Sequence, residues 1–308
     1  GREHHLQKYD EYSLYMPHAT CLRMGDLGYS SNAQQSLFVC YNELETYAEC
    51  LHRAIHTPYP DYEEIGQKKD GEHLQINTSL LQLENEFYST IRPKRVAKPG
   101  QRPLDALTSD GIEYVEVRAL DLNPFLPLGI DEQQICFLDS FLLYCLLSDS
   151  PECNEQEYFE VKGNIASVIE YGRDPDLSLS MEGKQVKLRE WADELVRDIN
   201  HSAVLLDQVH GNNKYIDSVS AQMAKIEDSD LTPSGQVLKT MREQNLSFYH
   251  LSMEQSEKHK NYFLEKSLDD ETQNLMQETA VQSISKQKEI EANEDISFDE
   301  FLQNWNAS

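Results

Sequence analysis

The sequence predicts an α+β fold, with a mixed sheet-and-helix half followed by a helical half. Two stretches, Leu74–Tyr88 and Ile112–Asp121, alternate apolar and polar residues with a period of two, as half-buried strands do. Beyond Pro151 the strand signals fade and helical spacing takes over. The expected division is therefore residues 1–150 as the sheet-bearing part and residues 151–308 as a helical region with a polar, acidic tail.

Taken in order, residues 1–30 are irregular and rich in Tyr and His. Asn42 and Glu45 stand at capping-box spacing, and Leu44, Tyr47, Ala48, Leu51 and Ile55 follow on one helical face until Pro58 and Pro60. In the first strand Gln82, Glu84, Glu86 and Tyr88 share a face, with Leu81, Leu83 and Phe87 on the other. A basic, proline-containing turn, Ile91–Arg95, comes next, and residues 98–110 read as loop. The second strand is the clearer one, with Val115, Val117 and Ala119 opposite Tyr114, Glu116 and Arg118. Asn123-Pro124 and Pro127 break it, and Asp131 with Gln134 then caps an apolar helix over Ile135–Leu147. That run is shorter than the roughly 20 residues a membrane span needs and contains Asp139, so it predicts a buried helix. Leu188, Trp191, Ala192, Leu195 and Ile199 predict an amphipathic helix, and Thr232-Pro233 predicts the start of another. Residues 268–297 are polar and acidic and predict a loosely held segment; no internal repeat is found.

The 308 residues carry a net charge of −27. Such an excess of carboxylates repels phosphate backbones and anionic lipid, which excludes nucleic acid and membrane surfaces as partners. A small anion met locally by a metal and a few cations is compatible with it. The six cysteines form no CxxC pair and no zinc-finger spacing with histidine, and several lie in apolar runs. A reduced, cytoplasmic setting is expected. The chain opens on Gly1 rather than Met and shows no signal peptide, so a piece of a longer protein is expected.

The chemistry that stands out is Glu116 and Arg118, two apart on a strand whose other face is apolar. A carboxylate beside a guanidinium suits a divalent metal and a phosphoryl group respectively. A surface ion pair of little energetic weight gives the same pattern. The stripe of Glu84, Glu86 and Tyr88 has the same two readings, a functional sheet face or a half-exposed scaffold. Arg92, Lys94 and Arg95 are conspicuous in so acidic a chain, either as phosphate or substrate contacts or as a solvated turn.

Three blocks in this order, Leu22–Tyr29, Leu83–Arg95 and Ile112–Phe125 running into Gly129–Gln134, resemble proteobacterial glutamate–cysteine ligase. The likeness is nearly continuous from about Tyr15 to Pro151 and weaker to about residue 260. It implies the C-terminal part of an enzyme with a cup-shaped, mainly antiparallel sheet of glutamine-synthetase type. It also implies the substrates glutamate, cysteine and ATP, Mg²⁺ as metal, and a place in glutathione biosynthesis. By the same resemblance Glu116 is a magnesium ligand, Arg118 contacts the transferred phosphoryl group, and Arg23, Tyr29 and Tyr88 line the cysteine pocket. The family's acidic metal-binding cluster is absent from this stretch, so the chain alone is expected to be inactive. An inactive scaffold and another carboxylate–amine ligase of the same fold are the alternatives.

Overall fold

The computed structural model describes residues 5–25, 28, 31–35 and 37–307. Its first elements are β1 (Gln7–Lys8), β2 (Leu14–Tyr15), α1 (Leu44–His56), α2 (Pro60–Ile65), β3 (Lys68–Lys69) and β4 (Glu72–His73). Next come β5 (Ile91–Lys94), α3 (Pro103–Asp110), β6 (Tyr114–Val117), α4 (Glu132–Leu147), α5 (Glu155–Tyr171), β7 (Ser178–Met181) and β8 (Lys184–Lys187). The remainder is helical: α6 (Leu188–His210), α7 (Lys214–Glu227), α8 (Pro233–Gln244), α9 (Phe248–Leu264), α10 (Asp270–Ala292) and α11 (Phe298–Ala307). Among the described residues the strands pair two by two, β1 with β2, β3 with β4, β5 with β6 and β7 with β8. The class is therefore α+β, built on helices and small antiparallel pairs.

The chain divides into two compact units. The first contains Gly1–Cys50, Tyr88–Arg92 and Val115–Glu257, and the second Leu51–Phe87, Pro93–Tyr114 and Lys258–Ser308. In the first, α4, α6 and α7 surround a core of Val196, Ile199, Ala203 and Val219, closed by Phe137, Phe141, Tyr144, Tyr215 and Met223. The buried Asp207 carboxylate accepts the N–H groups of Tyr215 and Ile216 at 3.1 and 2.9 Å, satisfying the otherwise orphaned donors at the start of α7. A second cluster of Leu238, Met241 and Leu251 packs with Tyr9 and Tyr15.

The second unit buries Leu81, Phe87, Leu104, Leu107 and Leu302. Within it Arg102 Nε donates to Glu84 Oε1 at 3.0 Å, with both side chains 5% exposed. The same guanidinium donates to the Trp305 carbonyl at 2.6 Å and lies 4.9 Å from that indole's centre, so one arginine ties α3 to α11. Lys68 and His73 reach Asp299 at 2.5 and 2.7 Å and hold the first turn of α11.

Several expectations are met. Helix α1 carries Tyr47, Ala48, Leu51 and Ile55 on its buried face. Asp131 caps α4 by accepting the Gln134 N–H at 2.8 Å, and Thr232 caps α8. Others are corrected. Asn42 is not the cap of α1: its side-chain amide pairs with the backbone of Cys153 at 3.1 and 2.9 Å. Leu74–Tyr88 is not a strand. Gln75, Asn77, Gln82 and Glu86 side chains bond nearby backbone groups, which competes with a ladder, and Glu84–Glu86 forms a 3₁₀ turn. The basic segment expected as a turn is strand β5, and residues 103–110 of the expected loop are α3, opened by Pro103 at its first position. Helix α4 buries only Cys136 and Ser140 fully, leaving Leu146 and Leu147 80% and 65% exposed. The region after Pro151 holds a hairpin, β7–β8, besides its helices. Residues 270–292 form a continuous helix with no buried residue.

Truncating Arg102 leaves the Glu84 carboxylate buried without its counter-charge. Arg102→Leu should cost about 3–5 kcal/mol of stability, and adding Glu84→Leu should recover much of that loss. Urea unfolding of the single and double variants measures both, and equal losses would contradict this account of the pair.

Candidate functional site

Strands β5 and β6 assemble the site. The Arg118 N–H donates to the Thr90 carbonyl at 2.8 Å and the Glu113 N–H to the Lys94 carbonyl at 2.9 Å, which makes the pairing antiparallel. Side chains alternate along each strand, so Arg92 shares the ladder face of Glu116 and Arg118. Arg118 Nη1 stands 3.8 Å from Glu116 Oε2, a Coulombic contact longer than a hydrogen bond, with the side chains 17% and 40% exposed. Arg92 is buried, at 3% exposure. Burial first, and the Arg118 guanidinium second, press its pKa below its ordinary value, while Glu116, Tyr47 and Tyr41 act the other way. The Tyr41 hydroxyl donates to the Ile91 carbonyl at 3.1 Å, and its ring lies 5.2 Å from that of Tyr47.

A turn at residues 21–25 is tied to the segment that follows β6. Just past β6, the Asp121 carboxylate accepts the Leu22 N–H on one oxygen and the Arg23 N–H on the other, both at 2.8 Å. The Met24 N–H points at Cys21 Sγ at 3.4 Å. Gly28 bonds back to the Gly25 carbonyl at 2.9 Å, and a side chain there would fall on the Leu22 and Arg23 carbonyls. The absent Cβ is what lets the turn close. Ahead of β5, the Tyr88 N–H donates to Gln34 Oε1 at 2.9 Å.

Arg23, Met24, Tyr88, Ser89 and Arg118 line a small, partly open cleft. Two arginines and a tyrosine among its lining residues make it locally cationic in a chain of net charge −27, which favours an anionic group there.

Of the residues expected to act, Arg23, Tyr88 and Arg118 are thus brought into one cleft, and Glu116 and Arg92 flank Arg118. Tyr29 lies outside the described residues. Arg95 spends its guanidinium on the Asp110 and Gly111 carbonyls, at 2.7 and 3.2 Å, where α3 ends. Lys94 belongs to β5, and its carbonyl serves the ladder. Of the stripe Glu84, Glu86 and Tyr88, Glu84 pairs with Arg102, Glu86 accepts the Gln82 N–H at 2.7 Å, and Tyr88 lines the cleft. Met24, Ser89 and Asp121 were not singled out from the sequence, although Asp121 ends the motif that contains Glu116 and Arg118.

Among the described residues no group of three or more His, Cys, Asp or Glu is arranged to hold a metal. Glu116 is nevertheless a half-exposed hard oxygen donor, and Mg²⁺ is commonly held by one or two carboxylates together with water and substrate phosphates. Its chemistry fits that mode.

The family model for glutamate-cysteine ligase matches residues 1–168, more than half of the chain. The chain belongs to the glutamate–cysteine ligase family. Glutamate–cysteine ligase of Pseudomonas fluorescens is 49% identical over 308 residues, and that of Pseudomonas aeruginosa 48%. The chain spans 58% of the length of these relatives. The crystal structure of glutamate–cysteine ligase from Francisella tularensis in complex with AMP superposes on all of this chain and 60% of its own, with a TM-score of 0.91 and 32% identity. A bifunctional glutathione synthetase from Pasteurella multocida shares the fold over 80% of this chain, with a TM-score of 0.58 and 20% identity.

Burial pushes the Tyr47 phenol above its ordinary value of 10.0, Tyr41 adds to the rise, and Arg92 opposes it. The unfolded phenol then ionises first as pH rises. The protonated Tyr47 contributes stability that is fully present below pH 10 and lost above it. Urea unfolding at about pH 9 and about pH 11 should show that loss, and Tyr47→Phe should make it shallower. An unchanged alkaline slope in Tyr47→Phe would rule the contribution out.

Proposed function

We propose that this chain is the part of an ATP-dependent, cytoplasmic glutamate–cysteine ligase that receives the cysteine and the phosphoryl group in transfer. The observation that carries the reading is the convergence of Arg23, Tyr88 and Arg118 on one small cleft. Residues 1–150 would contribute to the cup-shaped sheet, with residues 151–308 as its helical support. The substrates are glutamate, cysteine and ATP.

A carboxylate at neutral pH does not react with an amine, so the glutamate side chain must first be activated. Its oxygen attacks the terminal phosphorus of ATP, ADP leaves, and an acyl phosphate results. Arg118 sits where negative charge builds on the moving phosphoryl oxygens, and a pre-placed guanidinium is most effective there. Arg92, near enough for its charge and that of Arg118 to act on each other, adds positive charge to the neighbourhood. Arg23 pairs with the cysteine carboxylate, and Tyr88 bounds the pocket. The cysteine amine, as free base, then attacks the acyl carbon, phosphate leaves, and the amide of γ-glutamylcysteine remains. Glu116 would hold Mg²⁺, which when bound screens the repulsion between nucleophile and ATP phosphates. None of the six cysteines is required for these steps.

In the complete ligase, Arg118→Lys should lower turnover by about 100-fold or more, because an ammonium cannot reproduce the planar fork. Glu116→Gln should also fail and raise the magnesium requirement. Steady-state ADP release decides: near-normal turnover in both variants would return this strand to a mere surface ion pair. Tyr88→Phe should raise the KM for cysteine roughly three- to tenfold with little change for ATP. An equal rise for both substrates would indicate a loosened fold instead. The 308-residue chain by itself should show no cysteine-dependent ADP release, since among its described residues no group of three or more His, Cys, Asp or Glu is arranged to hold a metal.

A further inference from the structure

We infer that Asp121 is a positioning residue for substrate recognition, setting the Arg23 guanidinium at a fixed distance from Arg118. The inference rests on the ligase reading above and goes beyond it, since Asp121 itself lines no part of the cleft.

The geometry is that of a clamp. Asp121 lies three residues beyond Arg118 in the same segment, just past the end of β6. Its two oxygens take one N–H each from the successive residues Leu22 and Arg23, at 2.8 Å. Charge-assisted bonds from a carboxylate to backbone N–H groups are stronger than neutral ones, and two on adjacent residues fix orientation as well as distance. A second link follows the same path, Cys21 Sγ lying 4.0 Å from the Ala119 carbonyl. Behind the clamp the chain is braced on both sides. Gly28 packs on the Leu22 and Arg23 carbonyls. Beyond Asp121, the Asn123 N–H bonds the Gly129 carbonyl at 2.8 Å, and Gly129, at φ +73°, lies against Leu122.

The arrangement carries a mechanistic consequence. Arg118 would meet the phosphoryl group and Arg23 the carboxylate of the incoming amine, so their separation decides whether the amine reaches the acyl carbon. A misplacement of about 1 Å at such a position can cost on the order of 100-fold in rate. Leu22 is 61% exposed, so apolar packing alone does not hold this turn in register. The Asp121 carboxylate does.

Asp121→Asn tests this in the complete ligase. The amide keeps the shape but offers one acceptor oxygen and sets its own N–H₂ against the second backbone N–H. Its KM for cysteine should rise roughly tenfold, with the KM for ATP within about twofold. Asp121→Glu, which keeps the charge but lengthens the arm, should give an intermediate rise, and thermal unfolding checks that each variant is folded. Because Asp121 acts through Arg23, adding Asp121→Asn to Arg23→Ala should produce no further rise in cysteine KM. Amide hydrogen exchange at Leu22 and Arg23 should speed up in Asp121→Asn, a readout independent of turnover. Unchanged exchange, an equal rise in both KM values, or full additivity with Arg23→Ala would each overturn the inference. Failure of the ligase reading is seen elsewhere, in Arg118→Lys turnover, so the two can be told apart.

Discussion

The site depends on the short ladder between β5 and β6. Its bonds, Arg118 N–H to Thr90 and Glu113 N–H to Lys94, join two segments that local forces alone would not bring together. Strand pairing dictates which side chains become neighbours, and here it sets a buried arginine, a half-exposed glutamate and a second arginine on one face. Pro93 sits within β5 at the cost of one donor, which a strand with a single partner tolerates. The ladder also carries the chain on to Asp121, which then captures the turn bearing Arg23. Three remote stretches of sequence thus meet through a handful of backbone bonds rather than through a large apolar core.

What could be read from the sequence follows from how local each signal is. Helix α1, the caps at Asp131 and Thr232 and the central part of β6 are specified by residues within a turn or two of one another. The strand expected over Leu74–Tyr88 failed because alternation does not register that Gln75, Asn77, Gln82 and Glu86 satisfy the backbone themselves. Helix α3 has a start signal in Pro103 at its first position, but its buried face, Leu104, Ala106 and Leu107, is too short to show helical periodicity in the sequence. Basic residues in Ile91–Lys94 disguised a strand as a turn. Its pairing with β6 is non-local, and no pattern inside the segment reports it.

The candidate site divides in the same way. Glu116 and Arg118 are visible because a charged pair at spacing two on an otherwise apolar strand is a local oddity. The family likeness implies a shared pocket for Arg23 and Tyr88, and both line a cleft with Arg118. Asp121 could not be found by pattern. A carboxylate after a strand is ordinary, and its use is defined only by the two N–H groups that fold back onto it. Glu84 is the converse case: conspicuous in the sequence, it is occupied by Arg102 in the interior.

Comparison of the buried arginines bears on the same point. Arg102 is met by a carboxylate at 3.0 Å and an indole face. Arg173, 8% exposed, lies 3.7 Å from Asp230 and donates to the Pro17 carbonyl. Both are structural ties, in which the folded chain itself supplies the compensating group. Arg92, 3% exposed, is likewise held inside the fold, where the charge of Arg118 disfavours its protonated form and that of Glu116 favours it. On the proposed reading, a phosphoryl group bound beside Arg118 would bring further negative charge to this neighbourhood, so the strand pair that sets Arg92, Glu116 and Arg118 near one another also sets the local balance of charge, in a chain whose net charge is −27.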